Sequence, residues 1–224
     1  MQYNTLVMVL QTDRPIQETP SQLRGYIGNK FKEHPILHHH IQDLGYLFMY
    51  PKVQYKILAG NAYILGIEEG ATALKEISSA LEELHLGKSW YNLQEKVFYE
   101  KKVRLGPSSY PLQYKFLTPW LALNPQNYKN YLQIADWKAK KEFLNNIIIG
   151  NILSMCKGLG FQVNSDLHAH SRIDYVPIEF KNIPFTGFQG EFQVNFEIPD
   201  YFGLGKGVSQ GFGVVHPISN CLET

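Results

Sequence analysis

Apolar side chains fall on both parities of the first strand-like run. Leu6, Met8 and Leu10 alternate with Val7 and Val9 between Gln2 and Gln11, as in a central strand buried on two sides. Thr19-Pro20-Ser21-Gln22 then opens a helix: Thr19 can cap it, Pro20 suits the first helical position, and Gln22 can reach back to the cap. Leu23, Ile27 and Phe31 form one apolar stripe, Arg24 and Lys32 lie off it, and Pro35 ends it. Val53, Tyr55 and Ile57 alternate with Lys52, Gln54 and Lys56, and Gly60-Asn61 turns the chain into a second strand from Ala62 to Ile67. A second helix is expected from about Ala71, with Leu74, Ile77, Leu81 and Leu84 on one face, ending at Gly87. A strand follows from Tyr91 to Val103. The order β-α-β-β-α-β is the ferredoxin-like arrangement.

Gly106-Pro107-Ser108-Ser109 reads as a turn-rich boundary, dividing the chain into domains 1–105 and 106–224. The second half starts with a strand from Tyr110 to Leu123 and a helix capped at Asn124-Pro125. Helix then continues, with a break near Asp136, through Leu144, Ile147, Ile148 and Leu153 to Gly158. Two strands come next. In the second, Phe192, Val194, Phe196 and Ile198 alternate with Glu191, Gln193, Asn195 and Glu197, so one sheet face is apolar and the other polar. A last short strand runs from Gly213 to Pro217, and the helix before it is absent or cut to one turn around Pro199-Asp200-Tyr201. The expected fold class is α+β, two tandem ferredoxin-like (RRM-like) βαββαβ domains, the second irregular.

With 224 residues, 44% hydrophobic and 13% aromatic, the chain can bury a substantial core, which excludes disorder. Its formal net charge is +1, so a polyanion site must come from a local patch or from backbone amides rather than from bulk charge. Cys156 lies in an apolar helical run, where a free thiol is usually buried filler; the other cysteine is Cys221. The opening MQYNTLVMVLQTDRP has no basic lead before a short apolar stretch, so no signal peptide is expected. No apolar run reaches bilayer length. A cytoplasmic protein without membrane contact is the expectation.

Five glycines crowd Gly203-Leu204-Gly205-Lys206-Gly207-Val208-Ser209-Gln210-Gly211-Phe212-Gly213. Such density permits positive φ and close backbone approach, and successive amides can form an anion-binding concavity. From residue 182 onward Lys206 is the only Lys or Arg, against Glu191, Glu197, Asp200 and Glu223; phosphate bound here would rest mostly on amides. The P-loop pattern fails because Asp200 and Gly207 occupy its diagnostic positions, and Val208 breaks the dinucleotide spacing. The plain structural alternative is a tight connection between two strands.

Gly-apolar-Gly-Lys followed four residues later by Gly-Phe-Gly, at the end of two ferredoxin-like halves, resembles the CRISPR-associated repeat-cleaving endoribonucleases of the RAMP superfamily, most nearly their b-type branch. The resemblance implies metal-independent cleavage of CRISPR repeat RNA into guide RNAs, leaving a 2′,3′-cyclic phosphate and a 5′-hydroxyl, with no cofactor. It also implies a catalytic histidine between the first helix and the second strand, where His38-His39-His40 stands. Attack by a 2′-hydroxyl needs a base for its proton and an acid for the leaving 5′-oxygen, and imidazole can serve as either. His38 and His40 are assigned as that pair, on one side of the chain if the segment is extended. Tyr46 or Lys30 would steady the phosphorane charge or orient the hydroxyl.

Two other readings of the histidines stand beside this one. With His168, His170, Asp43 or Asp166 they could hold a transition metal, or they could be solvated imidazoles on a surface loop. RNA contacts are assigned to Gly203, Gly205, Lys206, Gly207, Ser209, Gln210, Gly211 and Gly213 in the loop, and to Arg24, Lys138 and Lys141 outside it. Lys140 joins the last two, and Lys96, Lys101, Lys102 and Arg104 form another basic cluster. The resemblance leaves open a homodimer and a CRISPR effector complex as further partners. The functional alternative is a non-catalytic RAMP-type RNA-binding subunit of such a complex.

Overall fold

The computed structural model describes residues 1–38, 50–180 and 183–218. The chain divides into two compact units. One takes residues 2–103 together with 208–211; the other takes 104–207, the residues from Phe212 onward, and Met1.

The first unit comprises β1 (Gln2–Thr12), α1 (Pro20–Lys30), a 3-10 turn η1 (Pro35–Leu37), β2 (Val53–Leu58), β3 (Asn61–Ile67), α2 (Glu69–Ser78), β4 (Glu83–Leu86) and β5 (Ser89–Arg104). Its sheet runs β2-β3-β1-β5-β4. Without the short edge strand β4, that is the ferredoxin-like order. β1 is central and Leu6 through Leu10 are all buried, as its two-sided apolar pattern predicts. α1 starts as expected: Thr19 accepts from the Gln22 amide while the Gln22 side chain accepts from the Thr19 backbone, a capping box that satisfies two otherwise orphaned donors. Leu23, Ile27 and Phe31 join the core cluster.

Three expectations here are corrected. The hairpin turn lies at Ala59 (φ +48°) and Gly60 (φ +79°), because Asn61 already pairs with Leu58. Gln54 and Lys56 are not on a wet face but are buried alongside Val53 and Tyr55, with Lys56 Nζ donating to Gln54 Oε1 at 3.3 Å. Helix α2 stops at Ser78. Leu84 and Leu86 are buried while Glu83 and His85 are only partly so, a period of two that makes β4 a strand, turned at Gly87 (φ +61°) into β5.

The second unit contains β6 (Gly106–Phe116), α3 (Pro125–Gln133), α4 (Trp137–Gly158), β7 (Ala169–Phe180), β8 (Ile183–Glu197) and β9 (Val215–Pro217), while a 3-10 turn η2 (Val208–Gln210) belongs to the first unit. Its sheet order is β7-β8-β6-β9. Asn124 caps α3 and Asp136 caps α4, each accepting from an amide three residues on, so the break expected near Asp136 is a new helix start. Phe192, Val194, Phe196 and Ile198 are all buried. Gly106–Ser109 do not form a turn: they begin β6, with the ladder to β8 interrupted between Pro107 and Leu112. β6 ends at Phe116, ahead of Thr118-Pro119, so Trp120 and Leu121 pair only as isolated bridges, to Phe188 and Lys206. Among the described residues no α-helix lies between β8 and β9; the chain makes a turn at Asp200-Tyr201 instead. Cys156 is fully buried, and burial pushes its thiol up to about 12, as expected of a packing residue.

Candidate functional site

Helix α1 positions the candidate groups of the first unit. Beyond its C-cap the backbone makes a run of local hydrogen bonds, His34 N to Phe31 O, Leu37 N to His34 O and His38 N to Pro35 O, which fold Pro35–Leu37 into a single turn. Pro35 suits the first position of that turn because it lacks the donor that would be unused there. Buried Leu37 anchors the turn in the core. The Tyr55 hydroxyl, reaching from β2, donates to the Leu37 carbonyl at 3.0 Å; burial raises the Tyr55 pKa, so it stays a donor. Arg24 Nη2 donates to the His38 carbonyl. The guanidinium is half-buried, and burial lowers its pKa. His38 has helical backbone angles (φ −93°, ψ −18°), so the segment is not extended at that residue. Its imidazole lies against Gly28: a Cβ there would overlap Nδ1, Cε1 and Nε2 of the ring.

The other end of α1 holds the tip of the glycine loop. Ser21 Oγ donates to Gln210 Oε1 at 2.8 Å. Gly211 sits at φ +83°, and a Cβ on it would come within 2.7 Å of Pro20 Cγ and 2.9 Å of the Tyr55 carbonyl oxygen. Only glycine fits there, on conformation and on space. Ser21, Arg24 and Gly28 are spaced i, i+3, i+7, hence on one helix face. The loop tip and the His38 imidazole therefore rest on the same face of α1, separated by about 10 Å of helix axis. The Tyr55 carbonyl lies beside Gly211 in the loop tip, and its hydroxyl holds the Leu37 carbonyl one residue before His38.

The rest of the glycine loop lies in the second unit. Several of its amides are already used: Leu204 donates to Gly213 O, Lys206 to Leu121 O, Phe212 to Gly207 O and Gly213 to Pro119 O. Gly205, at φ +85°, is pressed against Trp120 and the Leu121 carbonyl. Much of the glycine content is thus demanded by packing, the plain reading of the motif. The amides of Gly205, Gly207 and Ser209 make no hydrogen bond among the described residues, which leaves them able to meet an anion. Gly203 pairs with Val214 in an isolated bridge. The Lys206 ammonium stands 5.5 Å over the Phe185 ring.

Lys30 is exposed, its Nζ 3.3 Å from the Tyr26 hydroxyl. His39, His40, Asp43 and Tyr46 lie outside the described residues. Lys138 is exposed beside Trp137, Lys140 lies over Tyr131, and Lys141 Nζ is 3.0 Å from His170 Nε2. In the other basic cluster Lys96 is spent on the carbonyls of Ser78 and Leu81, and Arg104 on Glu197 at 2.6 Å. Lys101 and Lys102 are exposed. No group of three metal-ligating side chains occurs among the described residues. The sequence reading missed Gly28 and Tyr55. A glycine inside a helix was the available signal for the first, since it costs about 1 kcal/mol against alanine.

Two ferredoxin-like units in tandem, the second carrying a glycine-rich connection before its last strand, place the chain in the RAMP class of folds. Family models described as the Cas6b N-terminal domain and the Cas6b C-terminal domain match residues 1–104 and 106–218. The chain belongs to the Cas6b family. A crystal structure of Cas6b is similar at 33% identity and TM-score 0.86, over 97% of this chain and 100% of that one. A crystal structure of the CRISPR RNA processing endoribonuclease Cas6b is similar at 32% identity and TM-score 0.77, with the same coverage. An uncharacterized protein of Methanocaldococcus jannaschii is 42% identical over 142 residues, 62% of this chain and 95% of its own length. Among the described residues no helix is long and apolar enough to cross a membrane.

Proposed function

We propose that this protein is an endoribonuclease that processes CRISPR RNA, cutting repeat RNA by attack of a ribose 2′-hydroxyl without a metal ion. The similarity along nearly the whole chain to the endoribonuclease Cas6b supports the activity. The observation that carries the mechanism is the placement of His38 and the glycine-loop tip on one face of α1. A phosphodiester held at the loop would lie within a few nucleotides of an imidazole.

In the reaction the 2′-oxygen bonds to phosphorus as the bond from phosphorus to the 5′-oxygen breaks. One imidazole takes the 2′-hydroxyl proton and the other gives a proton to the leaving oxygen, so nothing is oxidised or reduced and no water is consumed. His38 and His40 fill these two roles. Lys30, and Tyr46 with it, would stabilise the pentacovalent phosphorus; the amides of Gly205 and Gly207 would hold a phosphate beside Lys206, and Ser209 would contribute at the loop tip. Lys138 and Lys141 on α4 bind phosphates further along the strand, and Arg24 contributes from α1.

A non-catalytic RNA-binding subunit would share every one of these RNA contacts. The double variant His38→Ala/His40→Ala separates the two: it should retain repeat-RNA affinity in a filter or gel-shift assay while cutting falls by at least about 10²-fold. Wild-type cutting by that variant would remove the histidines from the mechanism. No cutting by the wild-type protein on its repeat RNA would favour the binding subunit.

A further inference from the structure

We infer that Gly28 is a positioning residue for the reaction: its missing side chain, midway along α1, is the seat on which the His38 imidazole lies. The inference rests on the reading of His38 as a catalytic base or acid.

A Cβ at Gly28 would approach Nδ1, Cε1 and Nε2 of His38 at nearly equal distances. Near-equal approach to three consecutive ring atoms means the imidazole presents its face, not its edge, to the helix. That orientation leaves both ring nitrogens directed along the helix surface instead of into it. The ring has no easy retreat, because its own backbone is pinned on both sides. The His38 amide donates to Pro35 O, the His38 carbonyl accepts from Arg24, and the preceding carbonyl accepts from Tyr55. A methyl group at position 28 would therefore rotate the imidazole off the helix before it moved the chain.

Gly25, one turn earlier on the same helix, supplies the contrast. It has nothing within 4 Å of where a Cβ would stand. Both glycines are interior to α1 and both lower its helix propensity, but only Gly28 has a neighbour that needs the space. Gly25→Ala and Gly28→Ala thus make the same chemical change in the same helix, with and without a collision against the imidazole.

The test compares wild type, Gly25→Ala, Gly28→Ala, His38→Ala and Gly28→Ala/His38→Ala for single-turnover cleavage of repeat RNA, RNA affinity and melting temperature. The expected result is a wild-type rate in Gly25→Ala and a loss of about 10²-fold in Gly28→Ala, the size typical of a catalytic group displaced by about 1 Å, with RNA affinity kept. The His38 ring signals in a histidine-selective NMR spectrum should move in Gly28→Ala and stay in Gly25→Ala. Stability gives a second, activity-free arm: alanine at position 28 should lower the melting temperature when His38 is present and raise it when position 38 is alanine, a coupling only direct contact produces. Should Gly28→Ala alone fail to fold, folding of the double variant upholds the seat and its failure overturns it. A wild-type rate in Gly28→Ala with His38→Ala inactive overturns the seat alone. A wild-type rate in His38→Ala removes the catalytic reading on which it rests.

Discussion

At Tyr55 a single residue touches both halves of the candidate site. Its carbonyl oxygen packs beside Gly211 in the loop tip, and its hydroxyl holds the Leu37 carbonyl one residue before His38. Tyr55→Phe keeps the ring and the core packing but removes the donor from a buried carbonyl. The expected cost is about 1–3 kcal/mol in urea denaturation. Because the turn carrying His38 loses one of its ties, cleavage should fall as well while RNA affinity is unchanged. Equal losses in affinity and rate would instead mean that Tyr55 acts by holding the loop tip. Arg24 belongs to the same set of ties. Its half-buried guanidinium is committed to the His38 carbonyl, which makes its contribution to positioning at least as direct as any contact with phosphate.

Among the elements, α1 joins the two candidate features, His38 and the loop tip, and α4 carries the next basic surface. Lys138 and Lys141 project from the first turns of α4, and among the described residues neither is in an ion pair with a carboxylate. If each neutralises one phosphate, Lys138→Ala and Lys141→Ala should each flatten the plot of log affinity against log salt by roughly one unit, with cleavage at saturating RNA unchanged. An unaltered slope would leave them as solvated lysines. The elements were legible in the sequence where one period dominated. β1 is apolar on both faces, β8 alternates cleanly, and α1 is announced by Thr19-Pro20-Ser21-Gln22. Leu74, Ile77, Leu81 and Leu84 misled because spacings of three and four suit a helix while Leu84 and Leu86 also suit a strand. The pairing of β4 with β5 decided between them. Gly106-Pro107-Ser108-Ser109 looked like a turn since each residue favours one, yet β8 supplies a ladder that overrides local preference. In the site, the histidines and the glycine loop stood out as motifs. Gly28 and Tyr55 did not, since their roles depend on residues distant in the sequence (His38 for Gly28, Leu37 and Gly211 for Tyr55) that only folding brings to them.

For the molecule as a whole, pH separates folding from chemistry. Two carboxyls in the first unit are held below their ordinary 4.5, Glu18 by the Ser89 and Tyr91 side chains and Glu69 by Lys52. A depressed carboxyl contributes stability that is complete above its unfolded value and lost as pH falls through the lowered one. Their contributions should therefore be flat from pH 5 to pH 8 and fade only in stronger acid, a trend that thermal melts at stepped pH would follow. Single-turnover cleavage should instead give a bell near neutrality, with one limb missing in His38→Ala, because an imidazole pair needs one member neutral and one protonated. If cleavage and melting fell together, acid unfolding and not imidazole titration would explain the pH dependence. The central claim is that paired imidazoles cut RNA through its own 2′-hydroxyl, on a backbone held largely by amides. It is tested most directly by incubating the protein with CRISPR repeat RNA in excess EDTA and analysing the new ends. Undiminished cutting with 2′,3′-cyclic phosphate and 5′-hydroxyl ends is expected; cutting abolished by EDTA, or products bearing 3′-hydroxyl and 5′-phosphate ends, would overturn the imidazole mechanism.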